Sequence, residues 1–333
     1  MILNPAVIAL LTGAAAVSLM TVYAAFHGSR ILAGWDLESG SELQLALEKK
    51  TYLVSTLMAY ALAFQIVSFF LFVFTADDLN RLFVGAMCAA GTLNVNAYGY
   101  PVVLLKIVNC LLAGVWLVLN YTDNRAFDYP LIKKKYALLL AITPFVLGEA
   151  VLQGAYFLNL KANVITSCCG SLFSAGEEGV AAGLSALPPV PMAAAFFGIM
   201  ALTLASGAYF FFKGKGAALF SFSAAAALPV SVAALISFIS LYFYELPTHH
   251  CPFCVLQGEY HYAGYLIYVT LIGGGIAGTS MGALAPFTAV PSLKQVVPRI
   301  QRSLTKTALA FYSVLTVAVV ARILFTDFVL TGY

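Results

Sequence analysis

The sequence predicts an all-α polytopic membrane protein, a bundle of about eight transmembrane helices. Three observations predict it. Of the 333 residues 62% are apolar and only 9% charged, where a water-soluble domain keeps about 25% charged to hold its surface in solvent. Mean hydropathy is +0.93. The apolar residues come in repeated runs of the ~20 needed to cross ~30 Å of hydrocarbon, and they do not alternate as barrel strands do. In lipid, backbone polar groups are satisfied only within helices or closed barrels, so these runs are expected to be helices.

In chain order the expected spans are Pro5 to His27, Tyr52 to Thr75, Pro101 to Tyr121 and Tyr136 to Leu160. They continue with Val190 to Phe212, Ala217 to Leu246, Tyr260 to Leu284 and Leu304 to Thr326. The first run has no basic residue before it and is long enough to span, so it is read as a helix, not a signal peptide. Residues 35–50 carry Ser41, Leu43 and Leu47 among acidic neighbours and are expected to form an interfacial helix leading into the second span. Residues 81–100 start apolar and turn into GTLNVNAYGYP. Irregular backbone is tolerated at membrane depth only where it is buried in protein or lines a wet cavity. A re-entrant segment is therefore expected there, with a ninth full span as the alternative. Gly274, Gly278 and Gly282, four apart in the seventh span, let a neighbouring helix approach closely. The domain reading is an N-terminal half over 1–160, an outer loop over 161–189 bearing Cys168-Cys169, and a C-terminal half over 190–333.

Lys and Arg set the orientation. Arg30, Lys49, Lys50, Arg125, Lys133–Lys135, Lys213, Lys215, Lys294, Arg299, Arg302 and Lys306 fall in alternate connections, which belong on the cytoplasmic side. Both termini and both cysteine pairs then face outward, in a membrane of the bacterial inner type. The net charge of +3 comes mostly from these loops. No Lys/Arg stretch with interleaved aromatics suggests nucleic acid as a partner, and there is no P-loop, dinucleotide fingerprint or internal repeat. The partner the composition does require is the lipid bilayer.

Six cysteines fall as Cys168-Cys169, Cys251/Cys254, and two singles, Cys88 and Cys110. The singles lie in apolar helical sequence and are read as packing thiols. The strongest local signal is HHCPFCVLQ over 249–257, just before an apolar run. Cysteines with two residues between them can close a disulfide across one helical turn. At a helix N-terminus the free N–H groups favour the thiolate, which attacks disulfides and binds metals. His249 and His250, when protonated, favour it further. Three readings stay open: a redox-active pair, a soft-metal site using Cys251 and Cys254 with His249, His250 or His261, and a structural disulfide. Adjacent Cys168 and Cys169 fit a strained, reducible disulfide, separate pairings elsewhere, or thiolate ligands to the same metal.

The run CPFCVLQGEYHYAGY, a C-x-x-C at the outer end of a span with Gly264 ten residues past Cys254, resembles the disulfide-bond protein B family and the vitamin K epoxide reductases. The resemblance covers about twenty residues. It implies a membrane thiol–disulfide oxidoreductase with a quinone as cofactor. Cys254 would face the quinone and Cys251 would be the exposed thiol, with Cys168 and Cys169 as the shuttle pair. Gln257, Tyr260 and His261 would lie at the quinone, walled by Phe253, Tyr262 and Tyr265. The partner would be an extracytoplasmic thioredoxin-like protein or thiol substrate. The chain departs from the family in having eight spans, adjacent shuttle cysteines, and no arginine soon after the C-x-x-C.

Inside the apolar spans, Lys106, Asn109 and Cys110 form a polar stripe on the third, and Glu149 and Gln153 lie one turn apart on the fourth. Charges at that depth are costly and face the bundle interior, paired or carrying protons. Lys106 and Glu149 are expected to face each other. Two function classes follow from the whole reading: the oxidoreductase, and a protein that binds or transports soft metals such as copper, zinc or mercury. A non-catalytic membrane subunit stapled by disulfides is the third.

Overall fold

A computed structural model of the protein describes residues 2–36, 39–161, 164–166 and 180–330. The described residues are helical and contain no strand. Among the described residues, eight helices are long and apolar enough to cross a membrane, so the protein is an all-α integral membrane protein.

Helix α1 (Pro5–Gly34) starts where the Asn4 side chain accepts from the Ala6 amide, with Pro5 in the first turn, where its missing N–H costs nothing. Helix α2 (Glu42–Asp78) is continuous over 37 residues. The expected separate interfacial helix over 35–50 is thus corrected: from Glu42 onward it is the start of α2. Nothing in ELQLALEKKTYL breaks the i→i+4 ladder, and the helix carries on into the apolar run. Residues 81–100 form no ninth span. They hold a five-residue helix, α3 (Ala89–Leu93), buried at every position.

Then follow α4 (Gly99–Asp123), α5 (Ile132–Leu158), the short α6 (Val180–Ser185), α7 (Pro189–Lys213) and α8 (Ala217–Ala234). A single π turn (Leu235–Ile239) joins α8 to α9 (Ser240–Tyr244). The last long helices are α10 (Ala263–Ala283) and α11 (Val296–Phe325).

The chain divides into two compact units. The first comprises 1–73, 96–160 and 283–302, and the second 74–95, 161–282 and 303–333. The division near 160 recurs, but 74–95, including α3, groups with the C-terminal helices. In the first unit Trp116, Tyr136, Leu139 and Ile142 of α4 and α5 pack with Val54, Met58 and Leu62 of α2. In the second, small residues set the spacing. A Cβ on Gly278 would stand 2.3 Å from the Ala224 Cβ, and one on Gly282 would overlap the Ser221 side chain. The glycine row therefore lets α10 lie directly on α8.

Candidate metal centre

Within the second unit, Cys88, Cys251 and Cys254 converge, their three Sγ atoms all within 4.8 Å of one another. Cys88 Sγ and Cys251 Sγ are 3.6 Å apart, beyond the ~2.05 Å of a disulfide, so the two thiols are in contact without a bond between them. Cys88 and Cys251 are fully buried and Cys254 is 5% exposed.

Each thiol is brought there by identifiable local structure. Cys88 is the extended residue ahead of α3, and the Asp77 carboxylate accepts from the Ala89 amide at 2.9 Å, fixing the start of that helix. Gly85 has φ +88, and a Cβ there would meet the Thr166 carbonyl at 2.3 Å, so only glycine makes this turn. Thr166 ties the turn down, its amide donating to Val84 O at 3.0 Å and its hydroxyl to Gly91 O at 2.8 Å.

Cys251 and Cys254 sit in the connection between α9 and α10. The Tyr244 hydroxyl donates to Cys251 O and the Tyr268 hydroxyl to Pro252 O, each at 2.5 Å. Cys254 opens a 3-10 turn (Cys254–Leu256). A Cβ on Gly264 would press Val255 and Leu256 at 2.8–2.9 Å, so this glycine lets the first turn of α10 seat against the cysteine loop. Gln257 Nε2 donates to Met87 O at 2.6 Å, linking this loop to the residue before Cys88.

His249 Nε2 lies 3.4 Å from Cys254 Sγ, with the imidazole edge-on to Tyr244. Burial holds its pKa below the usual imidazole value, outweighing the nearby Cys88 sulfur, which acts the other way. The neutral ring keeps a lone pair that a metal can use. His250 is engaged elsewhere: its Nδ1 donates to Ile236 O in the π turn at 2.9 Å.

Several expectations are corrected. The C-x-x-C does not open a long helix, because α10 begins only at Ala263, so no helix dipole acts on Cys251. Pro252 and two successive left-handed residues, His261 and Tyr262 (φ 55 and 56), keep the intervening chain out of α geometry. Cys251 is not the exposed thiol. Gln257 bridges to a carbonyl, Tyr260 packs its ring 4.8 Å from Tyr244, and His261 is exposed. Cys168 and Cys169 lie outside the described residues. Cys88, read as a packing thiol, belongs to the cluster; the readable signal was its place within the segment 81–100 expected to re-enter. Cys110 is a buried thiol on α4, its Sγ 3.9 Å from Ile66 O.

The first unit holds a second buried polar group. Lys106 Nζ and Glu149 Oε1 are 2.6 Å apart, at side-chain exposures of 1% and 3%. Lys106 also donates to Ser68 Oγ at 3.1 Å, and Asn109 Nδ2 to Glu149 Oε2 at 2.6 Å. The Gln65 amide makes a further short bond to the same carboxylate. Gln65 and Ser68, polar residues mid-way along α2, went unread in the sequence. Gln153 instead donates to Leu10 O of α1.

No family model, no curated protein and no solved structure matches this chain.

Proposed function

We infer that the protein is a membrane protein that binds one soft metal ion through Cys88, Cys251 and Cys254, with His249 as the fourth ligand. The observation that carries this is the convergence of three buried sulfurs within 4.8 Å of one another. Tetrahedral coordination with Zn–S near ~2.3 Å puts ligand sulfurs about 3.8 Å apart and a sulfur and an imidazole nitrogen about 3.6 Å apart. The Cys88–Cys251 separation of 3.6 Å matches the sulfur–sulfur edge, and His249, whose Nε2 lies 3.4 Å from Cys254 Sγ though outside the group of three sulfurs, is the imidazole next to the cluster that would fill the fourth position. Thiolates select thiophilic ions. Three thiolates around Zn(II) leave one net negative charge, whereas around Cu(I) they leave two. At this depth of burial the smaller residual charge costs less, so zinc is the preferred ion. The excess of Lys and Arg in the alternate connections supports placing the cluster on the extracytoplasmic side of a bacterial-type inner membrane.

The test is metal analysis of protein purified in detergent from zinc- and copper-supplemented cells. Wild type and Cys110→Ser should retain about one ion per chain, and Cys88→Ser, Cys251→Ser and Cys254→Ser close to none. X-ray absorption should show three sulfurs and one lighter atom around the metal. Retention by Cys88→Ser, or no metal in wild type, overturns the reading.

The thiol contact between Cys88 and Cys251 favours a second reading, the thiol–disulfide oxidoreductase that the C-x-x-C resembles. Those two thiols would be oxidised to a disulfide by a quinone, which takes up the two electrons and two protons as quinol, and the disulfide would then oxidise a partner dithiol, returning both cysteines to thiols. Thiol trapping in membranes tests it: a Cys88–Cys251 bond in native membranes, lost under reductant, supports exchange over metal binding.

A further inference from the structure

The first turns of α2 form one side of a cavity of about 170 Å³ in the first unit. Thr51, Lys135 and Glu48 line it together with the aromatic rings of Trp35, Tyr52 and Tyr129. Thr51 is only 6% exposed, yet its hydroxyl has no hydrogen-bond partner among the described residues. A buried hydroxyl in that state is a standing cost unless something entering the cavity supplies the partner. Lys135 is fully buried, its ammonium bound to Asp123 Oδ2 at 2.8 Å and Asn120 Oδ1 at 3.0 Å. Its third N–H has no oxygen partner among the described residues. Glu48 is held in position by Gln44, whose Nε2 donates to Glu48 Oε1 at 2.8 Å and whose Oε1 accepts from the Asp36 amide at 3.1 Å. Tyr129 has φ +44, a strained conformation for a bulky residue, of the kind that collects at ligand sites.

Charge and shape together specify a ligand. Lys135 and Asp123 neutralise each other, which leaves the Glu48 carboxylate as the uncompensated charge among three aromatic rings. That combination receives an ammonium group, by ion pairing and by the ring faces. Thr51 O–H and the remaining Lys135 N–H are donors, and they ask for an anionic or strongly accepting oxygen a short arm away. Tyr52 is 76% exposed, at the point where α2 enters its apolar stretch, the level at which lipid headgroups lie. We propose that this cavity binds a phosphoethanolamine group, its ammonium at Glu48 and its phosphate at Thr51 and Lys135. Phosphatidylethanolamine headgroups and soluble phosphoethanolamine share this chemistry.

Native mass spectrometry of the full chain in detergent, titrated with phosphatidylethanolamine or phosphatidylglycerol, tests the proposal. Melting curves with free phosphoethanolamine form the second arm. Phosphatidylethanolamine should be retained about tenfold over phosphatidylglycerol, which lacks the ammonium, and Glu48→Gln and Thr51→Val should each remove about tenfold of that retention. Thr51→Ser, which restores the hydroxyl, should recover it. The Glu48→Gln chain should melt as wild type does without lipid, since the residue is exposed. Should free phosphoethanolamine raise the melting temperature through Glu48 while the lipid is not retained, the headgroup chemistry stands and the ligand is soluble. Equal retention of both lipids, or Glu48→Gln binding like wild type, overturns the proposal.

Discussion

Two of the buried polar groups, one from each unit, solve opposite problems. The Lys106–Glu149 group neutralises itself: a cation meets a carboxylate that also accepts from Gln65 and Asn109. Both of its charges are met by groups of the chain. The Cys88, Cys251 and Cys254 group gathers three side chains of the same acidic type. Ionising one makes ionising the next harder, unless a cation joins them. On the proposed reading, the difference separates an arrangement closed by the chain itself from one closed by a bound ion.

The sharpest way to break the comparison is to remove one partner of the charged pair. Glu149→Ala or Lys106→Ala should destabilise the protein by about 3–5 kcal/mol, because a charge is left buried alone. The double variant Lys106→Met with Glu149→Leu should recover most of the loss. Denaturant unfolding in detergent reads both. A double variant that loses the sum of the two single losses would show that the pair is not coupled. Next in size is the linkage of metal to folding. Zinc at 100 times its Kd should stabilise wild type by about 2.7 kcal/mol and Cys88→Ser by almost nothing, whereas without metal the two should differ by less than about 1 kcal/mol.

How far each group could be read from the sequence follows the same divide. Lys106 and Glu149 announce themselves, since a charge in the middle of an apolar span must find its opposite and the spans are adjacent in sequence. The eight long helices were legible for the same reason: continuous apolar runs have no other fate in lipid. Cys88 carried no such demand. A thiol is apolar enough to pack anywhere, and its contact with Cys251 spans 163 residues of chain. The same limit applied to the C-x-x-C, whose place before an apolar run suggested a helix start. The left-handed His261 and Tyr262 that postpone α10 carry no sequence signature, being neither glycine nor asparagine.

Smaller effects sharpen the metal group itself. His249→Gln should weaken zinc binding by about tenfold. Burial lowers the His249 pKa, so that over pH 7.5 to 6.5 the thiols compete for protons ahead of the imidazole. Proton competition in that window therefore comes from the thiols, and a zinc titration should give His249→Gln the wild-type pH slope. Smallest is Tyr244→Phe, which removes the bond to Cys251 O and should cost about 1 kcal/mol in the metal-free protein.

The π turn over Leu235–Ile239 has a consequence for how this arrangement tolerates insertion and deletion. Its wider winding accommodates one residue more than regular α geometry would, and each residue in an α-helix turns the chain by about 100°. Deleting a single residue there would let the segment relax into an unbroken helix. Everything downstream would swing by that angle, carrying the Tyr244 phenol off the Cys251 carbonyl and withdrawing the oxygen that anchors His250. One amino acid, touching no sulfur, thus sets the aim of the loop that holds two of them.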